Sequence, residues 1–218
     1  MSTQQTHGSA RALNPEAGDH PVSTDPVEQA AAAAASRRSW KEFPYYPRRY
    51  GERGWRFSLS DSGWIETLCN LSPSEAHAQI LWLSGLLTAR GMPSYLLERH
   101  LEYLHDELVR PSPARARRYE VLRACATALR ERRLAQIAQE PFEALSQAFE
   151  QRVSQYEEAI PNMGRILVAA VADERAGVSG AVASIEAWAC EPASFDPLWI
   201  DSVRQTIAAA RAHRSLSE

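Results

Sequence analysis

The chain has 218 residues, of which 44% are apolar, and a formal net charge of −3. That suffices for one hydrophobic core or two small ones, and the slightly acidic balance argues against a generic nucleic-acid binder. No run of about 18 apolar residues is present to span a bilayer, and the first residues lack the apolar stretch of a signal peptide, so a cytoplasmic protein without membrane contact is expected.

Residues 1–39 carry Gly, Pro, Ser, Thr and Gln with few large apolar side chains, too little to offset the entropy of ordering a chain. They read as a disordered leader. Within it, Asp25-Pro26 and the alanines from Ala30 to Ala35 predict a short, frayed helix with little to bury. From 40 to 218 a single all-helical domain is expected. It opens on an aromatic-rich arm with Trp40, Phe43, Tyr45, Tyr46, Tyr50, Trp55, Phe57 and Trp64. Pro44 and Pro47 predict that this arm is extended, and Arg48, Arg49, Arg53 and Arg56 interleave charge with its rings. Ser60 or Asp61 then caps a helix carrying Trp64, Ile65, Leu68 and Cys69.

The stretch Ser72–Val109 reads as the hub, two helices joined at Arg90-Gly91-Met92-Pro93. Ser72 and Glu75 form a capping box. Ala76, Ile80, Leu83 and Leu87 make one apolar stripe, while Trp82 and Leu86 lie on other sides of the same helix and need a different cover. Leu97, Leu101, Leu104 and Leu108 form the stripe of the second helix, flanked by Glu98, His100, Glu102 and His105. Next, Ser112-Pro113 opens a helix over 113–138 whose exposed side is basic, with eight arginines between Arg110 and Arg133 against Glu120 and Glu131. The helix from Pro141 to about Ile160 reverses the sign, so the two are expected to pair as antiparallel neighbours of opposite charge. Three further helices follow: about Asn162 to Arg175, expected to run close against a neighbour; Ser179 to Cys190; and one capped at Asp196-Pro197. The expected fold class is thus all-α, an orthogonal or up-down bundle of about seven helices behind a disordered leader.

Chemical motifs are sparse. Cys69, Cys125 and Cys190 are odd in number and widely spaced, which indicates neither a disulfide framework nor a CxxC metal site; each reads as a small buried apolar residue. Gly177-Val178-Ser179-Gly180 follows a helix and lacks the second glycine of a nucleophile elbow, and no G-x-G-x-x-G is present. Glu102 and His105 have the Glu-x-x-His spacing of di-iron bundles, with Glu98 one turn earlier, but such bundles need the motif twice. His100 is a candidate axial haem ligand. These residues define the alternative expectation, a haem- or metal-binding sensor or enzyme; no catalytic residue and no cofactor are predicted. The main expectation is a regulatory, adaptor or sensor module that acts by protein–protein binding, with a protein partner or a second copy held through Trp82, Leu86, Trp55 and Tyr50. Nucleic-acid binding through the 113–138 helix is the second alternative, nucleic acid not being an expected partner.

Overall fold

The computed structural model describes residues 7–213. Its architecture is all-α, with nine α-helices among the described residues in place of the expected seven. These are α1 (Pro26–Glu42), α2 (Tyr45–Thr67), α3 (Pro73–Ala89), α4 (Ser94–Val109), α5 (Ala116–Leu134), α6 (Gln139–Arg152), α7 (Met163–Arg175), α8 (Ala181–Ala189) and α9 (Pro197–Ala212). A two-stranded antiparallel hairpin, β1 (His7–Ser9) with β2 (Pro21–Ser23), precedes them in the register Gly8 to Val22. No helix among the described residues is long and apolar enough to cross a membrane.

The chain divides into two compact units. One comprises the chain up to Ile80 with Arg99–Ala126, the other Leu81–Glu98 with the chain from Thr127.

In the first unit the expected leader is largely folded; only residues 1–6 of it lie outside the described residues. Asp25 caps α1 by accepting the Val27 amide at 2.9 Å, and Pro26 occupies the first turn. Helix α1 then continues through the alanines to Glu42 and packs on α2. The sequence reading failed because it equated burial with large side chains. Glu28, Ala31, Ala32, Ala35, Ser36 and Ser39 lie at spacings of three, one, three, one and three, and all six are buried. A stripe of small residues lets two helix backbones approach closely, so dispersion contacts form without any leucine. The aromatic arm is likewise helical, not extended: α2 starts at Tyr45, with Pro47 tolerated in the first turn. The helix is kinked at Gly51, whose φ of 53° and ψ of −155° lie in a region open essentially to glycine.

Local signals in the hub are realised as expected. The Ser72 amide donates to Glu75 Oε2 at 3.0 Å and the Glu75 amide to Ser72 Oγ at 3.3 Å, the reciprocal capping box. Gly91 takes φ 87°, and the Met92 amide reaches back to the Leu87 carbonyl at 2.9 Å.

The second unit is organised on α7, which packs on α6, α8 and α9 and is buried from Ile166 to Asp173. A Cβ at Gly164 would sit 2.4 Å from the Ser146 carbonyl oxygen, so the expected close approach of this helix to a neighbour is made at a glycine. Trp199, fully buried, meets Phe149 edge-on at 5.2 Å and stacks with Phe195 at 5.4 Å, and its indole donates to the Ala189 carbonyl. Buried Asp173 accepts the Ser94 amide at 2.7 Å and the Ser94 hydroxyl at 2.5 Å, which ties the start of α4 to α7.

Candidate functional site

A buried acidic pocket lies within the first unit. Glu28 stands in the first turn of α1 and Glu66 in the last turn of α2, and both side chains are 1% exposed. Arg118 of α5 divides its guanidinium between them: Nη1 donates to Glu28 Oε1 and Nη2 to Glu66 Oε1 at 2.8 Å, while Nε donates to Asn70. Glu28 is saturated with donors. Ser23 Oγ donates to its Oε2 at 2.6 Å, and Tyr119 Oη and Arg115 Nη1 reach its Oε1 at 3.0 and 3.3 Å. Oε2 of Glu66, by contrast, accepts from no donor group.

This asymmetry sets the charge state. Burial raises both carboxyls, but in Glu28 the bonds from Ser23, Glu66 and Arg118 outweigh it and hold the group below its ordinary range. In Glu66 burial and the neighbouring Glu28 charge push the carboxyl up to about 8, so at neutral pH it keeps its proton. Tyr119 is pushed up to about 12 by burial and by Glu28, and burial beside Glu66 raises the Cys69 thiol.

Beside the two carboxyls lies a cavity of about 140 Å³. Leu13, Val22, Ala32, Ala33 and Leu59 give it apolar walls, and Ser23, Glu28, Gln29 and Glu66 complete the lining with little polar surface of their own. Gly63 makes room for this arrangement, since a Cβ there would stand 3.3 Å from Val22 Cγ1 and 3.4 Å from Leu13 Cδ1.

The residues singled out in the sequence go elsewhere. His100 is buried with both ring nitrogens engaged, Nδ1 at 2.9 Å from Ser39 Oγ and Nε2 at 3.0 Å from Ser62 Oγ. That makes it a polar tie between α1, α2 and α4, and burial pulls its pKa down to about 4. Glu98 belongs to the second unit, where it accepts Arg133 Nε and Nη2 at 3.1 Å and Arg130 Nε at 3.0 Å. Glu102 pairs with Arg99, and His105 Nδ1 and Nε2 each lie 3.4 Å from a carboxylate, Asp106 and Glu120. Among the described residues no group of three or more His, Cys, Asp or Glu side chains is placed to hold a metal ion.

Trp55 meets Trp40 edge-on at 5.3 Å and Tyr50 meets Tyr45 at 5.9 Å, so both expected interaction residues are half-buried in the aromatic packing of α1 and α2. Leu86 is half-buried and Trp82 is 61% exposed.

The basic helix pairs differently from expectation. Arg115 and Arg118 go to Asp25, Glu28 and Glu66, and Arg130 and Arg133 to Glu98, whereas Glu143 of α6 pairs with Arg165. The pocket itself was missed because its acids and their arginine lie far apart in sequence. The available signal was Glu28, the one acid on a stripe otherwise made of alanine and serine. No protein-family model, curated protein or solved structure matches this chain.

Proposed function

We propose that the chain is a cytoplasmic, non-enzymatic helical sensor module in which α1 conveys the state of the Glu28–Glu66 pocket to a protein partner. The observation that carries this reading is the two-sidedness of α1. Glu28, Gln29, Ala32 and Ala33 line the pocket, while Pro26, Val27, Ala30, Ala31 and Ala34 line a shallow apolar groove that Glu107 and Pro111 complete. One helix therefore touches both a concealed ionisable pair and an accessible apolar surface. Near the pocket its buried face is made of alanine and serine, each worth little alone, while Trp40 anchors the far end of the helix against Tyr46 and Trp55, so the charge of the pocket can tip the docking of the N-terminal turns. When Glu66 ionises, two carboxylates with a single shared guanidinium repel each other across the α1–α2 contact. Trp82, a large aromatic exposed in the second unit, supports a protein partner or a second copy as the recipient, because buried aromatics concentrate binding energy in interfaces.

Amide hydrogen exchange across residues 26–42, corrected for intrinsic rates, tests this at about pH 6 and about pH 9. The wild type should lose protection in α1 at the higher pH, and Glu66→Gln should show the same protection at both. Equal protection of α1 at the two values in the wild type would refute the reading.

A further inference from the structure

The cavity beside the two carboxyls interrupts the packing of the first unit. Protein interiors hold few voids larger than a water molecule, yet about 140 Å³ is left open here between α1, α2 and the segment that carries β2. Small side chains keep it so. Ala32 and Ala33 of α1 and Gly63 of α2 stand where a larger aliphatic residue would close the space, and Leu13, Val22 and Leu59 supply the other apolar walls. Water is a poor filling, because an apolar cavity of this size stays dry.

The polar side chains at the border are turned on one another. Ser23 Oγ donates to Glu28 Oε2 at 2.6 Å, Gln29 Nε2 to the Ser23 carbonyl at 2.9 Å, and Arg118 Nη2 to Glu66 Oε1 at 2.8 Å. A charged or strongly hydrated ligand would exchange water for hydrocarbon walls, which is costly, whereas an uncharged hydrocarbon gains by the same transfer. The volume of about 140 Å³ is close to the roughly 150 Å³ of an engineered apolar cavity that accepts benzene. There is also a way in: Leu13, Ala33 and Leu59 are half-buried and Gln29 is exposed, so the cavity meets solvent on that side.

We infer that this cavity is a binding site for a small uncharged hydrocarbon, of about the volume of a single six-membered ring, held by Leu13, Val22, Ala32, Ala33 and Leu59. The bound ligand touches α1, α2 and the β2 segment at once, so it adds contacts where α1 otherwise offers only alanine, and it stabilises the first unit by mass action. This goes beyond the sensor reading. It needs the cavity and not the ionisation of Glu66, and the two share helix α1, whose other side lines the apolar groove.

Methyl NMR spectra of the full chain, titrated with benzene at about pH 6 where Glu66 keeps its proton, read the site residue by residue. The expected result is saturable shifts of the Leu13, Val22 and Leu59 methyls, with those of Leu167 and Ile185 in the core of the second unit unmoved. Affinity should be at least about tenfold lower for phenol, whose hydroxyl would be buried without a partner. Ala33→Leu, which fills the cavity from α1, should abolish the shifts while the melting temperature holds or rises. Shifts that do not saturate or are spread over both units, equal affinity for phenol, or undiminished binding to folded Ala33→Leu would each overturn the inference, and the first two of these do not depend on how the variant folds. Failure of benzene to bind leaves the exchange test of α1 between about pH 6 and about pH 9 standing. Benzene binding with no effect of pH on α1 would keep the site and remove the sensor.

Discussion

Ser62 Oγ lies 3.0 Å from Nε2 of His100, and this contact makes the imidazole a structural member of the first unit, not a free ligand. The same hydroxyl is 2.8 Å from Ser36 Oγ and donates to the Ser58 carbonyl at 2.6 Å, so one small side chain serves three elements of a buried polar network. Ser62→Ala should leave the ring nitrogen buried and unpaired. A desolvated polar group without a partner costs about 1–3 kcal/mol, and urea unfolding should report a loss of that size with an unchanged m-value. A loss well below this would show that water replaces the hydroxyl.

His100 and Glu66 predict opposite pH dependences. The His100 pKa falls from 6.5 to about 4 on folding, so the stability it contributes is complete above 6.5 and is lost as pH falls through that window. The Glu66 pKa rises from 4.5 to about 8, so its contribution is complete below 4.5 and is lost as pH rises to about 8. Each slope is at most about 1.4 kcal/mol per pH unit, and between 4.5 and 6.5 the two largely cancel. From 6.5 to about 8 only Glu66 acts. The difference in unfolding free energy between wild type and Glu66→Gln removes other raised carboxyls such as Asp173 and Glu150, and should fall steadily over that upper window. A difference that is flat with pH would mean that Glu66 is ionised in the folded protein.

Gly164→Ala tests the seat of α7. Alanine is favoured over glycine in a helix by about 1 kcal/mol, which alone would stabilise. The new Cβ would stand 2.4 Å from the Ser146 carbonyl oxygen and 3.1 Å from Phe149 Cβ, and backbone cannot rotate away as a flexible side chain can. Overpacking of this kind costs about 1–3 kcal/mol, so the net effect should be destabilising. A raised melting temperature would show that α6 and α7 can separate freely.

What was legible in the sequence was local. The Ser72–Glu75 box, the Gly91 turn with its positive φ, and the Asp196 cap, which accepts the Trp199 amide at 2.9 Å, depend on residues a few places apart and were read correctly. The pocket depends on Glu28, Glu66 and Arg118, whose approach is fixed by packing of three helices, and no spacing rule encodes it. Arginine charge misled for a related reason: the acidic helix nearest in sequence offered a partner, but Arg118 and Arg133 found buried acids on other helices. His100 looked like a ligand because an imidazole on an apolar helix face is rare, while the serines that satisfy it, Ser39 and Ser62, carried no mark in the sequence.

The folded state of the N-terminal segment gives the most direct test. Had residues 1–38 been a structureless leader, removing them would leave the melting temperature unchanged. In the structure that deletion removes β1 and β2 and most of α1, including Ala31, Ala32, Ala35 and Ser36, each at most 5% exposed. It also removes Glu28, so Arg118 keeps Glu66 alone, and it uncovers Val22's seat against Gly63. Losing several fully buried small side chains and a buried ion pair together exceeds the cost of one large-to-small core substitution, about 2–5 kcal/mol, which is a large share of the stability of an ordinary domain. The truncated chain should therefore show a melting temperature lowered by at least about 10 °C, with the loss confined in hydrogen exchange to residues up to Ile80 and Arg99–Ala126, while α7 amides stay protected. An unchanged melting temperature would return the segment to the status of a leader and remove the helix on which the sensor proposal rests.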